Sequence, residues 1–184
     1  MSTTVKPATL YTVGHGTLAA DAFVNTLRAA GVEVAADVRR YPASRRNPQF
    51  DAVEMGRWLD RAGIAYRPFL ALGGRRDARP DSPNVGLRNS AFRGYADYMA
   101  TAEFRTAFDS LIALAHERPT AVFCAETLWW KCHRRLIADA AVLLAGLEVR
   151  HLTPATRASH AVTPGVHRVG DTLVYDGGAP ALLP

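Results

Sequence analysis

The chain has 184 residues, 48% of them hydrophobic and 21% charged, which suits one buried core and excludes wholesale disorder. Its formal charge is +5, and of its 22 basic residues only Lys6 and Lys131 are lysines, so planar guanidinium forks dominate and an anionic partner is favoured over a neutral one. Two cysteines, no cationic and apolar leader, and an apolar run near Leu136–Leu147 interrupted by Asp139 argue against a secreted disulfide scaffold or a membrane span. A cytoplasmic α/β domain over residues 1–184 is expected, with residues 1–8 flexible.

In chain order, Leu10–Gly14 reads as a first strand, and Ala20–Ala30 repeats Phe23, Leu27 and Ala30 at helical spacing before Gly31 stops it. Val32–Val38 is a second apolar strand, Val53–Ala62 a second helix ending at Gly63, and Ile64–Phe69 a third strand. Residues 70–94, rich in Gly, Arg, Pro and Asp, read as a long functional loop. Thr101–His116 is helical, Thr120–Ala125 a fourth strand, Leu136–Ala145 a helix closed by Gly146, and Leu147–His151 a fifth strand. Thr172–Tyr175 reads as a C-terminal edge strand. Near-continuous apolar strands alternating with helices predict a three-layer α/β fold, a mostly parallel sheet with helices on both faces.

Open α/β sheets bind ligands beyond the carboxyl ends of their strands. Those ends carry His15 after the first strand, Asp37, Arg39 and Arg40 at the second, Gly73 and Gly74 after the third, Cys124 and Glu126 at the fourth, and His151 at the fifth. A carboxylate such as Glu126 or Asp37 at a strand end needs a cationic or hydrogen-bonding partner, and Asp37 with Arg39 reads equally as a structural ion pair. Cys124, inside an apolar run, fits a core residue as well as a reactive thiol. The helix after Glu126 starts near Cys132 or at Thr127. On the first placement Lys131, Arg134 and Arg135 crowd a helix N-terminus, which becomes favourable when an anion sits there, and the same end lowers the Cys132 thiol pKa. Arg39, Arg45, Arg46 and Asn47 with flanking aromatics suit phosphates beside a stacked base, with Tyr95 or Trp129 as stacking candidates. Seven residues separate the cysteines, unlike zinc-finger spacing, so no cofactor is predicted; a metal ion at Cys124, Cys132 and His133 with His15 is the alternative.

The pieces Thr12–His15, Asp37–Arg39 with Pro42–Phe50, Leu72–Gly74, Phe92–Met99, Cys124–Glu126 and Cys132–Arg135 resemble the domain of unknown function 488 family. That resemblance implies a small cytoplasmic α/β protein whose motifs gather in one pocket, and it names no reaction. Gly16 stands where relatives often carry serine, and Thr127–Lys131 replaces a more acidic, proline-containing segment, so no serine role transfers.

Three functions follow. The first is hydrolysis at a nucleotide or nucleic-acid base, such as cleavage of an N-glycosidic bond. There Glu126 or Asp37 is the carboxylate, His15 or His133 moves a proton, and Arg39, Arg45, Arg46, Arg134 and Arg135 hold phosphate. The second is thiol chemistry, sulfur transfer or redox, with Cys132 as nucleophile and Cys124 as resolving thiol. The third is non-catalytic binding of nucleic acid or a phosphorylated ligand.

Overall fold

A computed structural model describes residues 8–178. Apart from Ala8, the stretch expected to be flexible lies outside them. Six strands form the main sheet: β1 (Thr9–Gly14), β2 (Val34–Asp37), β3 (Ala65–Pro68), β4 (Thr120–Cys124), β5 (Glu148–Leu152) and β6 (Arg157–Ser159), in the order β3-β2-β4-β1-β5-β6. The first five run parallel, and β6 lies antiparallel on β5. Five helices, α1 (Ala20–Ala29), α2 (Ala52–Arg61), α3 (Ser90–Met99), α4 (Ala102–Glu117) and α5 (Arg134–Leu143), cover the sheet.

Alternation along the strands divides the core into two layers. Val13, Ala35, Ala121 and Phe123 pack with Phe23, Leu27, Met55 and Leu59 of α1 and α2. Leu10, Ala36 and Val122 face the opposite way, against Tyr95, Phe104, Leu111, Leu136 and Ile137 of α3, α4 and α5. Every residue of β2 is buried, as a central parallel strand covered on both faces requires.

Two expectations change. Thr172–Tyr175 is a strand, β8, but it pairs with β7 (Val166–Val169) in a separate antiparallel ribbon, and β6 takes the edge of the main sheet. Tyr175 N–H donates to Asn84 Oδ1 and Gly86 N–H to the Tyr175 carbonyl, so this ribbon is tied to the long loop rather than to β5. The loop itself is shorter than 70–94. It opens with a 3-10 turn at Leu70–Leu72 and ends where Asn89 caps α3, its side chain accepting from Ala91 N–H at 2.8 Å. Gly94 sits inside this helix, where a Cβ would collide with the backbone of Arg76, Asp77 and Ala78, so the residue that reads as a loop signal is a contact point for the loop.

A buried polar chain fixes the C-terminal third to the sheet. Asp139 of α5, fully buried, accepts from His160 Nε2 and Thr163 N–H, both at 2.9 Å, and from the Thr163 and Tyr175 hydroxyls at 2.7 and 3.1 Å. The carboxylate therefore sets the tautomers: His160 keeps its proton on Nε2, its Nδ1 accepts from His151 Nε2 at 3.0 Å, and His151 Nδ1 accepts from the Thr12 hydroxyl at 2.6 Å. Replacing Asp139 by asparagine turns an acceptor toward donors, and buried groups left unpaired cost about 1–3 kcal/mol each. Asp139→Asn is expected to lower unfolding free energy by roughly 3 kcal/mol in urea titration; a loss under about 1 kcal/mol would contradict a structural role for the chain.

Candidate functional site

At the carboxyl edge of the sheet the connections part. β1 and β2 lead to α1 and α2 on one face, whereas β3 and β4 lead to α3 and α5 on the other. Such a division opens a crevice, and a cavity of about 550 Å³ lies there. His15 comes to it from β1, Arg39, Arg40 and Tyr41 from β2, Gly74 and Arg75 from the loop after β3, and Cys124, Glu126, Lys131, Cys132 and His133 from β4 and its loop.

The floor is an ion pair. Asp37 Oδ1 accepts from Arg39 N–H and Nε at 3.0 and 2.8 Å, and Oδ2 accepts from Arg39 Nη2 at 2.6 Å and from the Tyr66 hydroxyl at 2.8 Å. Arg39 Nη1 donates to the Phe50 carbonyl at 2.7 Å and faces His15 Nε2 at 3.4 Å. Asp37 is wholly enclosed, and its four accepted bonds leave it without contact with the cavity. His15 stacks on Phe50 with ring centres 4.0 Å apart and gives its Nδ1 proton to the Gly16 carbonyl at 2.9 Å, so Nε2 carries the lone pair. Burial pushes its pKa down to about 4, against that carbonyl bond and with help from the Arg39 charge.

The reactive wall follows β4. A 3-10 turn at Trp129–Lys131 precedes Cys132, and α5 begins at Arg134, so the helix start lies near Cys132 rather than at Thr127. Cys124 Sγ, Cys132 Sγ and His133 Nδ1 lie within 4.8 Å of one another. His133 Nε2 donates to the Val38 carbonyl at 2.9 Å, which leaves the Nδ1 lone pair facing Cys132 Sγ at 3.5 Å. Arg134 is buried; its Nε donates to Cys132 Sγ at 3.4 Å and its Nη2 to the Glu126 and Thr127 carbonyls, holding the loop closed. The Cys124 thiol, as a hydrogen-bond donor, holds Cys132 well below the ordinary thiol range; burial opposes this, and His133 and Arg134 reinforce it. Cys124 is pushed up by that same bond and by burial. Gly74 closes the opposite side: a Cβ there would stand 2.8 Å from His133 Nδ1.

The other sequence candidates are distributed unevenly. Glu126 is exposed on the cavity wall, its Oε1 accepting from Leu128 N–H at 3.0 Å. Tyr95 lines the cavity with its hydroxyl donated to the Leu72 carbonyl at 2.7 Å. Gly73 packs against the Arg40 backbone. Arg45 and Arg46 are exposed on the loop before α2 and outside the cavity lining, and Asn47 N–H is tied to Ser44 Oγ. Trp129 stacks on His151, ring centres 3.9 Å apart, away from the cavity. Arg135 Nε donates to Thr163 Oγ1 at 2.8 Å and faces a neighbouring cavity. Arg40, Tyr41 and Lys131, named in the sequence beside the strand ends and the helix start, line the main cavity, and so do Arg75 and Phe92, to which the sequence assigned no role. Arg75 follows the Gly73-Gly74 pair with a left-handed φ of 60°, its carbonyl accepting from Arg40 Nη1 at 2.6 Å. Among the described residues, no helix is long and apolar enough to cross a membrane.

A family model described as "Domain of unknown function DUF488" matches residues 19–141, more than half of the chain. The matched stretch carries the ends of β2, β3 and β4 and stops short of His15, which β1 supplies. No curated protein and no solved structure matches.

His15 and His151, the latter pushed by burial to about 3, are both neutral in the fold. An unfolded imidazole titrates near 6.5, so below that pH the unfolded chain binds more protons than the folded one. The histidine contribution is therefore complete above pH 6.5 and is lost as the pH falls toward 4 and then 3. Tm is expected to drop between pH 7 and pH 5, and less so in His15→Asn; identical drops in both proteins would contradict a buried neutral His15.

Proposed function

The chain belongs to the family described as "Domain of unknown function DUF488", and on that premise we propose that its cavity is the active site of a thiol-dependent enzyme acting on an anionic substrate, a nucleotide or nucleic acid. The observation that carries this reading is the environment of Cys132. Its sulfur lines the cavity between the His133 Nδ1 lone pair and the Arg134 guanidinium, two residues before a helix, with the Cys124 thiol beside it. Once His133 Nδ1 has taken the thiol proton, the imidazolium so formed, the Arg134 guanidinium and the helix start stabilise the thiolate, which is the attacking form of cysteine. Arg40, Arg75 and Lys131 stand around the same space, and Glu126 is the one carboxylate in its lining among the described residues.

In the first step the Cys132 sulfur gives an electron pair to an electrophilic atom of the substrate. A bond from Sγ to that atom forms as the bond to the leaving group breaks, and the leaving group departs with its pair. The second step depends on the atom attacked. Where it is carbon, as in loss of a base from a sugar, water displaces Cys132, and Glu126 takes the proton from that water. Where it is sulfur, the Cys124 thiol attacks Cys132 Sγ, a Cys124–Cys132 disulfide closes, and the transferred sulfur leaves as a thiol carrying the Cys124 proton, relayed through His133 Nδ1; a dithiol reductant then restores both cysteines.

A soft divalent cation is the competing occupant of the same side chains. Zn–S and Zn–N bonds of about 2.3 and 2.0 Å in a tetrahedron place S and N roughly 3.5 Å apart, and Cys132 Sγ to His133 Nδ1 is 3.5 Å. Bound zinc would mask the thiolate. Iodoacetamide labelling at pH 7, read by mass spectrometry with and without a chelator, separates the readings. Cys132 is expected to label at least tenfold faster than a free thiol without chelator. Labelling that becomes fast only after chelation would identify a metal site, and labelling never faster than a free thiol would exclude the nucleophile. Once turnover is found, Glu126→Gln is expected to abolish a hydrolytic second step and to spare one resolved by Cys124.

A further inference from the structure

The main cavity does not end at its own rim. Phe92, in the first turn of α3, lines it and also lines a second cavity of about 310 Å³. Arg88, Asn89, Arg135, Thr163 and Tyr175 form most of the polar wall of that second space, and none of the side chains lining it is acidic. The two cavities thus follow the first turns of α3 and α5 and share Phe92, with Lys131 lining the first and Arg88 and Arg135 the second. Tyr41, 61% exposed and covered by the Arg40 guanidinium at 5.5 Å, adds an aromatic surface at the mouth of the first cavity.

A single phosphorylated metabolite needs one cationic pocket. Two cationic pockets that share an aromatic wall fit a ligand whose negative charges repeat with a flat apolar group between them, the pattern of a single strand of nucleic acid. We infer that the two cavities form one groove for an unpaired phosphodiester strand, with successive phosphates in the Lys131 and the Arg88–Arg135 pockets and the intervening base on Phe92. This rests on reading the main cavity as an anion pocket and is independent of the thiol step. Duplex is a poor fit, because its paired bases offer no free face to Phe92.

The test is calorimetric titration of the full chain with thymidine 5′-monophosphate and with the 5′-phosphorylated thymidine dinucleotide, at low salt. The mononucleotide already carries the base that stacks on Phe92, so the one added phosphate contact is expected to make the dinucleotide bind about tenfold or more tightly. Arg88 is exposed at the loop end, so Arg88→Ala is a mild change to the fold, and it is expected to bring the dinucleotide down to within about twofold of the mononucleotide. Phe92→Leu, which keeps an apolar side chain in the partly buried site, is expected to weaken both ligands by a similar factor and to leave the difference between them. Mononucleotide binding with no gain from the second nucleotide, or a gain that survives Arg88→Ala, overturns the groove and leaves the anion pocket standing. Binding of neither ligand overturns both.

Discussion

The buried pair of Asp37 and Arg39 is the constraint on which the rest of the site depends. A charge enclosed in a protein interior is tolerated only when its hydrogen-bonding capacity is met, and here both partners are saturated. Because Arg39 also reaches Phe50 and His15, and Asp37 also takes the Tyr66 hydroxyl, the pair ties β1, β2, β3 and the turn before α2 into one unit. Its guanidinium lies over the Phe123 ring at 5.2 Å, which adds β4. Every strand that feeds the cavity is thereby fixed to the same two side chains. Removing one partner would leave the other charged and enclosed, so the pair is better understood as the frame of the site than as its reacting part.

Arg134 repeats the device at smaller scale. It is enclosed, it sits at the start of α5, and its donors go to carbonyls of the loop and to the Cys132 sulfur rather than to open space. Its charge thus acts on the thiol from behind, while Arg40, Arg75 and Lys131 face the cavity itself. The split between enclosed arginines that position and exposed cations that face a ligand is consistent across the site. It also explains why so many arginines coexist within a small volume: those that are buried each have oxygen or sulfur acceptors close at hand.

Much of this was legible in the sequence for a simple reason. Apolar runs such as Val34–Val38 and Thr120–Cys124 specify parallel strands, and parallel strands place their carboxyl ends together, so His15, Asp37, Arg39, Cys124, Cys132 and His133 had to converge. Which member faces ligand and which is enclosed depends on packing at distances that spacing does not encode. Asp37 and Arg134 look as available as Glu126 in the sequence and differ only once tertiary contacts are made. The start of α3 was obscured by Gly94, whose residue type signals a break while its position serves close backbone contact. Likewise β8 has a strand sequence, but its partner β7 is selected by the long loop, through Asn84 and Gly86.

Arg75 carries a consequence for anyone altering this protein. Among the described residues it is the one non-glycine residue with a left-handed φ, a conformation that costs a residue bearing a Cβ on the order of 1 kcal/mol. Glycine at the same position would remove that strain, so a search for thermal stability would favour it. The same exchange would take a cation from the rim of the cavity. Stability and ligand affinity therefore rank the residues at position 75 in opposite orders, and selection for robustness alone would drift toward a sturdier protein with a weaker grip on anions.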